Sequence, residues 1–338
     1  MTKRVMILLC CLALCLPAWA ESQAPTRTPP GPWAQTGDVA TEGFPELTAQ
    51  GFLPEGQPEY VFEDAENGLW RYASQDLRIV IRRVEENKVR HLAAEIFLRE
   101  GAEGLRMYPF GEAFTTVDRK RDLDAPYKMA RQKRVVFSMD GDYYLYRARR
   151  HVNTQGNYAI GVVIRDGEIL FNVPPSDKRT SYPPLDLMAL YPDGDMQVYK
   201  VNEYTAEELL AMGARDVLSF GPWLVRDGQI NDTYSGYGTS LQPRAGVGMF
   251  ARGHYLAIIV EGRIKQSRGM TTREIGDLFK AYGCTTAFNL DGGWTSAMIF
   301  MGKQLNQLDN NGVKNNARDQ NEIMGIGTTA AFDGEGAP

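Results

Sequence analysis

Thr271-Thr-Arg-Glu-Ile-Gly-Asp-Leu-Phe-Lys-Ala-Tyr-Gly283, followed after Cys284 and Thr285 by Thr286-Ala-Phe-Asn-Leu-Asp-Gly-Gly-Trp-Thr-Ser296, decides the fold. Thr271-Thr-Arg-Glu274 fits a capping box, in which the Thr hydroxyl and the Glu side chain satisfy backbone N–H groups of the first turn. Ile275, Leu278, Phe279 and Tyr282 then recur at helical spacing, and Gly283 is a natural C-terminal cap. Thr286–Leu290 reads as a strand. The polar Asp291-Gly-Gly-Trp-Thr-Ser296 stands at its carboxyl end, where mixed α and β folds often place ligands.

A second capping box, Thr205-Ala-Glu-Glu208, starts another helix, and both helices are expected to pack on sheets. Elsewhere short apolar runs alternate with turn dipeptides: Tyr60-Val-Phe62, Asn67-Gly68, Leu69-Trp-Arg-Tyr72, Leu77–Val84 and His91–Leu98. Asp-Gly or Glu-Gly stands at the tips of later runs, at Asp140-Gly141, Asp166-Gly167, Asp193-Gly194, Asp227-Gly228 and Glu261-Gly262. Such pairs suit type I′ hairpin tips, which need positive φ. The expected class is α+β: mixed, mainly antiparallel sheets with many hairpins and a few packed helices.

Lys3 and Arg4, the apolar run Val5–Leu16 and the closing Ala18-Trp-Ala20 form a secretory signal peptide, expected to be cleaved near Ala20. That run is too short to span a bilayer, and no later stretch of about 20 apolar residues follows. The mature chain is therefore expected to be exported, periplasmic or extracellular, without an integral membrane segment. Cys10, Cys11 and Cys15 leave with the signal, so Cys284 is the single remaining cysteine and no intrachain disulfide forms. Losing Lys3 and Arg4 takes the formal net charge from −5 to −7, and no basic surface invites a nucleic acid. Residues 21–58, rich in Pro, Gly, Thr and Gln, read as a disordered leader or tether. A β-rich N-terminal part over 59–130, a main domain over 131–332 and a tail over 333–338 complete the division.

The quoted stretch resembles the phosphodiester glycosidase family, whose bacterial members often carry the label of exopolysaccharide biosynthesis proteins. Asn289-Leu-Asp-Gly-Gly-Trp-Thr-Ser296 is similar to the family's Asn-Leu-Asp-Gly-Gly-Gly-Ser-Ser/Thr signature, departing at Trp294 and Thr295. Arg244-Ala-Gly-Val-Gly248 resembles its Arg-Thr-Ala-Val-Gly segment, Val260-Glu-Gly-Arg263 its Asp-Gly-Arg hairpin, and Gly269-Met-Thr-Thr272 its Gly-Met-Thr helix start. Arg318-Asp-Gln-Asn-Glu-Ile-Met324 takes the place of its closing Arg-containing strand. Upstream, Phe137-Ser-Met-Asp-Gly-Asp-Tyr-Tyr144 stands where relatives show Ile-Asn-Gly-Gly-Phe-Phe. The resemblance spans roughly 60 to 332, densest in the last hundred residues. It implies hydrolysis of a sugar-1-phosphodiester, with an N-acetylglucosamine-like sugar, in an envelope or extracellular glycan.

The residues read as chemistry in the same direction. Cleaving a glycosidic bond passes through an oxocarbenium-like state, which a carboxylate beside the anomeric carbon stabilises. Asp291 is the candidate, and Gly292 and Gly293 let backbone and substrate approach closely. A phosphate leaves readily, so a cation matters more than a second acid. Arg244 supplies a planar fork for phosphate. Thr295, Ser296 and the N–H groups after Gly292 offer contacts to phosphate or sugar, and Asn289 can hold Asp291 or a sugar hydroxyl. Glu261 is a secondary acid/base candidate, Arg318 a ligand or structural ion-pair residue, and Trp294 a sugar platform or core residue.

Blander readings compete at each position. Asp-Gly-Gly alone is a common tight turn, a lone arginine is commonly solvated or ion-paired, and Glu261 fits a hairpin tip. Asp140-Gly-Asp142 and Asp193-Gly-Asp195 mimic the Asp-x-Asp of nucleotide-sugar transferases but sit on expected turns. No nucleophile elbow or Walker loop is present, and His91, His151 and His254 lack ligand spacing. No cofactor or metal is called for, and Asp309–Asn316 lacks an EF-hand's alternating acids. Two other activities fit the same residues: a non-catalytic glycan-binding or exopolysaccharide assembly protein, motivated by the altered 137–144 segment, and a glycosyl transferase.

Overall fold

Residues 59–98 fold as an antiparallel meander of Tyr60–Asp64 (β1), Leu69–Ala73 (β2), Leu77–Glu86 (β3) and Val89–Leu98 (β4). The computed structural model of the chain describes residues 25–35, 41–110, 123–142, 161–173, 184–233, 238–308 and 316–332. The expected signal peptide and C-terminal tail lie outside the described residues.

After the meander come Arg106–Pro109 (β5), the helix Pro126–Gln132 (α1), Val135–Asp140 (β6), Gly161–Arg165 (β7), Glu168–Val173 (β8), Asp186–Leu190 (β9) and Met196–Tyr199 (β10). The helix Ala206–Ala211 (α2) leads to Asp216–Phe220 (β11), Trp223–Arg226 (β12), Gln229–Ile230 (β13), Arg244–Ala251 (β14) and His254–Val260 (β15). The helix Thr272–Tyr282 (α3) precedes Thr286–Leu290 (β16), Met298–Phe300 (β17), Lys303–Gln304 (β18) and Glu322–Thr328 (β19).

These strands form a nine-stranded sheet ordered β1-β2-β3-β4-β15-β14-β16-β12-β13 and two five-stranded sheets, β10-β9-β11-β7-β8 and β18-β17-β6-β19-β5. Among the described residues every ladder is antiparallel. The expected α+β class is the observed one. One core lies between the sheets, with Ile79 and Ile96 from the first, Met188 and Leu218 from the second, and Phe137, Met139 and Met298 from the third.

Both capping boxes are present, at Thr205/Glu208 and Thr271/Glu274, and Gly283 caps α3 at φ 97°. Ile275 and Phe279 of α3 bury against Val225, Ile258 and Ala287 on the large sheet. Gly246 and Gly248 of β14 allow that approach, because a Cβ on either would stand 2.8 Å from Phe279. Asp166-Gly167, Asp193-Gly194 and Asp227-Gly228 do turn the β7–β8, β9–β10 and β12–β13 hairpins.

Three local expectations differ. Asp140 is no hairpin tip: it ends β6, a central strand held between β17 and β19. Glu261 follows β15 and donates its backbone N–H to Arg90 O rather than turning a hairpin. Conversely, β3 and β4 turn through Asn87 and Lys88 at φ 51° and 60°, a positive-φ pair without glycine.

The meander is continuous with the main sheet, since β4 pairs with β15 from Phe97↔His254 to His91↔Val260. The described part of the expected tether lies against the body: Arg27 pairs with Asp193 at 2.6 Å, and Trp33 bridges Arg252. No described helix is long and apolar enough to cross a membrane.

Candidate active site

Arg244 opens β14, Val260 closes β15 and Leu290 closes β16, and register places these three ends together: Arg244↔Val260 and Ala245↔Leu290. Arg244, Glu261 and Asp291 consequently emerge at one end of the large sheet. β16 is fixed on both sides, by β14 and β12, so the direction in which Asp291 leaves it is fixed too.

Asp291 starts a tight 3₁₀ turn over Gly293–Thr295. Its Oδ1 accepts the Gly292 N–H at 2.9 Å and its Oδ2 accepts the Thr295 hydroxyl at 3.3 Å. The glycines are steric requirements: a Cβ on Gly292 would stand 2.7 Å from Pro243 O, and Gly293 has φ 64°. The N–H groups expected to bind substrate close the turn itself, Gly293 to Pro243 O and Thr295 to Gly292 O. Ser296 is fully buried and its hydroxyl has no partner among the described residues.

The other expected residues take up positions around this turn. Asn289 is fully buried and donates to Gly221 O at 2.9 Å, tying β16 to the β11–β12 connection. Arg244 is 7% exposed and donates to Met270 O, Gly238 O and Ser240 O at 3.0, 3.0 and 2.8 Å, so its fork braces the start of α3 and the preceding loop. Glu261 is buried, paired with Arg90 and accepting the Gln307 N–H at 2.6 Å. Burial pushes its carboxyl above the usual range, while Gln307 and Arg90 pull it down. Arg318 donates its backbone N–H to Trp294 O at 2.9 Å.

Two residues that sequence reasoning did not single out complete the site. Arg263, at φ 61°, lies with its guanidinium 5.4 Å from the centre of the Trp294 ring and bonds Gln242 Oε1. Desolvation, and then the charge of Arg318, lower its pKa. Arg263 thus lies over the indole, near Gly293, and Arg318 is close enough for its charge to act on Arg263. The second is Asp140, fully buried, whose Oδ1 accepts the Ala297 N–H at 3.0 Å. Its burial foremost, and also the charge of Asp291, push its carboxyl well above the usual range. The unbroken apolar run Val135-Val-Phe137 was the signal that Asp140 ends a central strand.

A carboxylate at a strand end, a second buried carboxyl whose charge it affects and the two arginines Arg263 and Arg318 thus meet around one turn. Residues 133–326 match the family model described as phosphodiester glycosidase, more than half of the chain, and the chain belongs to that family. The SPbeta prophage-derived uncharacterized protein YomE of Bacillus subtilis (strain 168) is 30% identical over 203 residues, 59% of this chain but only 29% of that protein's length.

Two solved structures share the fold. The zebrafish N-acetylglucosamine-1-phosphodiester alpha-N-acetylglucosaminidase catalytic domain, auto-inhibited by its pro-peptide, superposes with a TM-score of 0.54 at 15% identity, over 75% of this chain and 83% of that one. A hypothetical protein from Synechocystis gives a TM-score of 0.53 at 11% identity, over 81% of this chain and 64% of that one.

Proposed function

We propose that the chain is an exported hydrolase that releases a sugar from a sugar-1-phosphodiester in an envelope or extracellular glycan. One observation supports the reading: Asp291 is held by its own turn, and Arg263 lies over Trp294 of that same turn, with the charge of Arg318 acting on Arg263. The carboxylate stabilises the developing positive charge at the anomeric carbon. The bond between that carbon and the phosphate oxygen breaks, its electron pair leaves with the phosphate, and the arginines compensate the charge that departs. Water adds to the anomeric carbon and its proton passes to solution. Thr295 orients Asp291, Gly292 and Gly293 permit the turn, and Arg244, Asn289 and Glu261 hold the surrounding loops.

An N-acetylglucosamine-1-phosphodiester is the first substrate to assay, by release of free sugar. Asp291→Asn is expected to lower kcat by ~10²–10⁴, the range for a positioned catalytic group. Tight glycan binding without turnover across a substrate panel would instead assign the chain to glycan binding. Product formed only with a sugar acceptor present would make it a transferase.

A further inference from the structure

Two strands that end at the site, β6 and β16, both run into an Asp-Gly pair: Asp140-Gly141 closes the first and Asp291-Gly292 follows the second. One short segment holds both carboxyls. Thr295 donates its hydroxyl to Asp291, and Ala297, two residues on, donates its N–H to Asp140. Asp140 is 0% exposed, and its Oδ2 has no hydrogen-bond partner among the described residues.

Among the described residues no cation relieves it. Ala297 and, on β17, Ile299, with Met129 and Ala130 of α1 and Ile323 of β19, line that face. Glu322 alternates to the opposite face, where Arg165 binds it together with Asp142. Among the described ionisable side chains on and near α1, Lys128 pairs with Asp124, Arg131 bonds Gly302 O, and burial pushes the Tyr108 phenol up to about 12. Among the described residues Asp291 is the charge that acts on Asp140. A buried carboxylate with one N–H donor and a second carboxylate beside it is far costlier than the neutral acid.

We propose that Asp140 and Asp291 act as one carboxyl pair holding a single proton, carried by Asp140, which makes Asp140 the positioning residue that keeps Asp291 anionic at the substrate. The neutral acid retains the Ala297 bond and has an O–H to donate. Its ionisation places two negative charges side by side, so turnover falls at alkaline pH. This inference rests on the glycosidase reading of Asp291 for its consequence in turnover, and on burial alone for the proton.

The test has two arms. In the first, urea unfolding of the full chain is compared with that of Asp140→Asn from pH 4 to pH 9. A proton bound more tightly in the folded state stabilises fully below the ordinary aspartate range, and that stability is lost as pH rises toward the raised folded value. The wild type should therefore lose stability relative to Asp140→Asn as pH rises. A constant difference would overturn the proposal.

In the second arm, kcat against pH is measured for sugar release. Asp140→Ala should lower kcat about tenfold or more with a smaller change in KM. Asp140→Asn should recover much of that loss and lack the alkaline fall of the wild type. A loss in Asp140→Asn as large as that in Asp291→Asn would show that the proton is transferred to substrate, and would overturn the positioning role. A wild type inactive on every phosphodiester would end the glycosidase reading, while the stability arm still decides where the proton resides.

Discussion

The Thr295 hydroxyl donates to Asp291 Oδ2 at 3.3 Å across the turn whose first N–H, that of Gly292, holds Oδ1 at 2.9 Å. Both oxygens of the carboxylate are thereby oriented by residues within four positions of it. Thr295 is 1% exposed, so Thr295→Val keeps the volume while removing the donor. The change should cost about 1 kcal/mol of stability. It should lower kcat roughly tenfold with little change in KM, since the group it disturbs acts in the transition state. Steady-state kinetics beside denaturant unfolding separate the two effects.

Arg263 and Arg318 are expected to act on the phosphate rather than on the sugar. Arg263→Ala or Arg318→Ala should each raise KM about tenfold, the scale of one charge-assisted hydrogen bond. Inhibition by inorganic phosphate should weaken in parallel. Arg263→Lys should recover only part of the loss, because an ammonium lacks the planar fork and stacks less well on Trp294. An unchanged phosphate inhibition constant in both alanine variants would remove the cationic rim from the mechanism.

Gly292 offers a steric test. A Cβ there would stand 2.7 Å from Pro243 O, a backbone atom that β14 holds in place. Gly292→Ala should therefore displace the turn, destabilise the protein by about 1–3 kcal/mol and reduce kcat more than Thr295→Val does. Gly283→Ala is a control far from the chemistry: it meets no neighbouring atom but carries φ 97°, so it should lower stability while sparing kcat.

What the sequence made legible follows from how local the signals are. Helix α3, its capping box and the strand after it are written in residues that contact one another within a few positions, and they appear in the structure as expected. Asp291 inherits its place from them. Asp140 carries an Asp-Gly signal that reads as a hairpin tip, yet the pairings of β6 with β17 and β19 bury it, and its one N–H donor comes from 157 residues away. An arginine beside a small-residue strand gives no sign of the three carbonyls that reach Arg244 from Gly238, Ser240 and Met270. Arg263 was hidden in a stretch read as a hairpin, and its guanidinium meets Trp294 from 31 positions away in sequence.

His91 supplies a pH test independent of the site. It is buried beside Tyr282, with Nε2 and the phenol oxygen 3.1 Å apart, and burial holds its pKa down at about 4. The folded state therefore keeps the imidazole neutral where the unfolded chain, with an ordinary value near 6.5, already binds a proton. The unfolded state binds more protons throughout that interval, so stability rises with pH across it and falls as pH drops from about 6.5 toward 4. The loss should be on the order of 3 kcal/mol at the acid end. His91→Gln cannot take up that proton and should flatten the slope between those limits, whereas Asp140→Asn changes the dependence on the alkaline side of the aspartate range. Urea unfolding of the two variants at matched pH values distinguishes the contributions, and an unaltered acid slope in His91→Gln would place the acid sensitivity elsewhere.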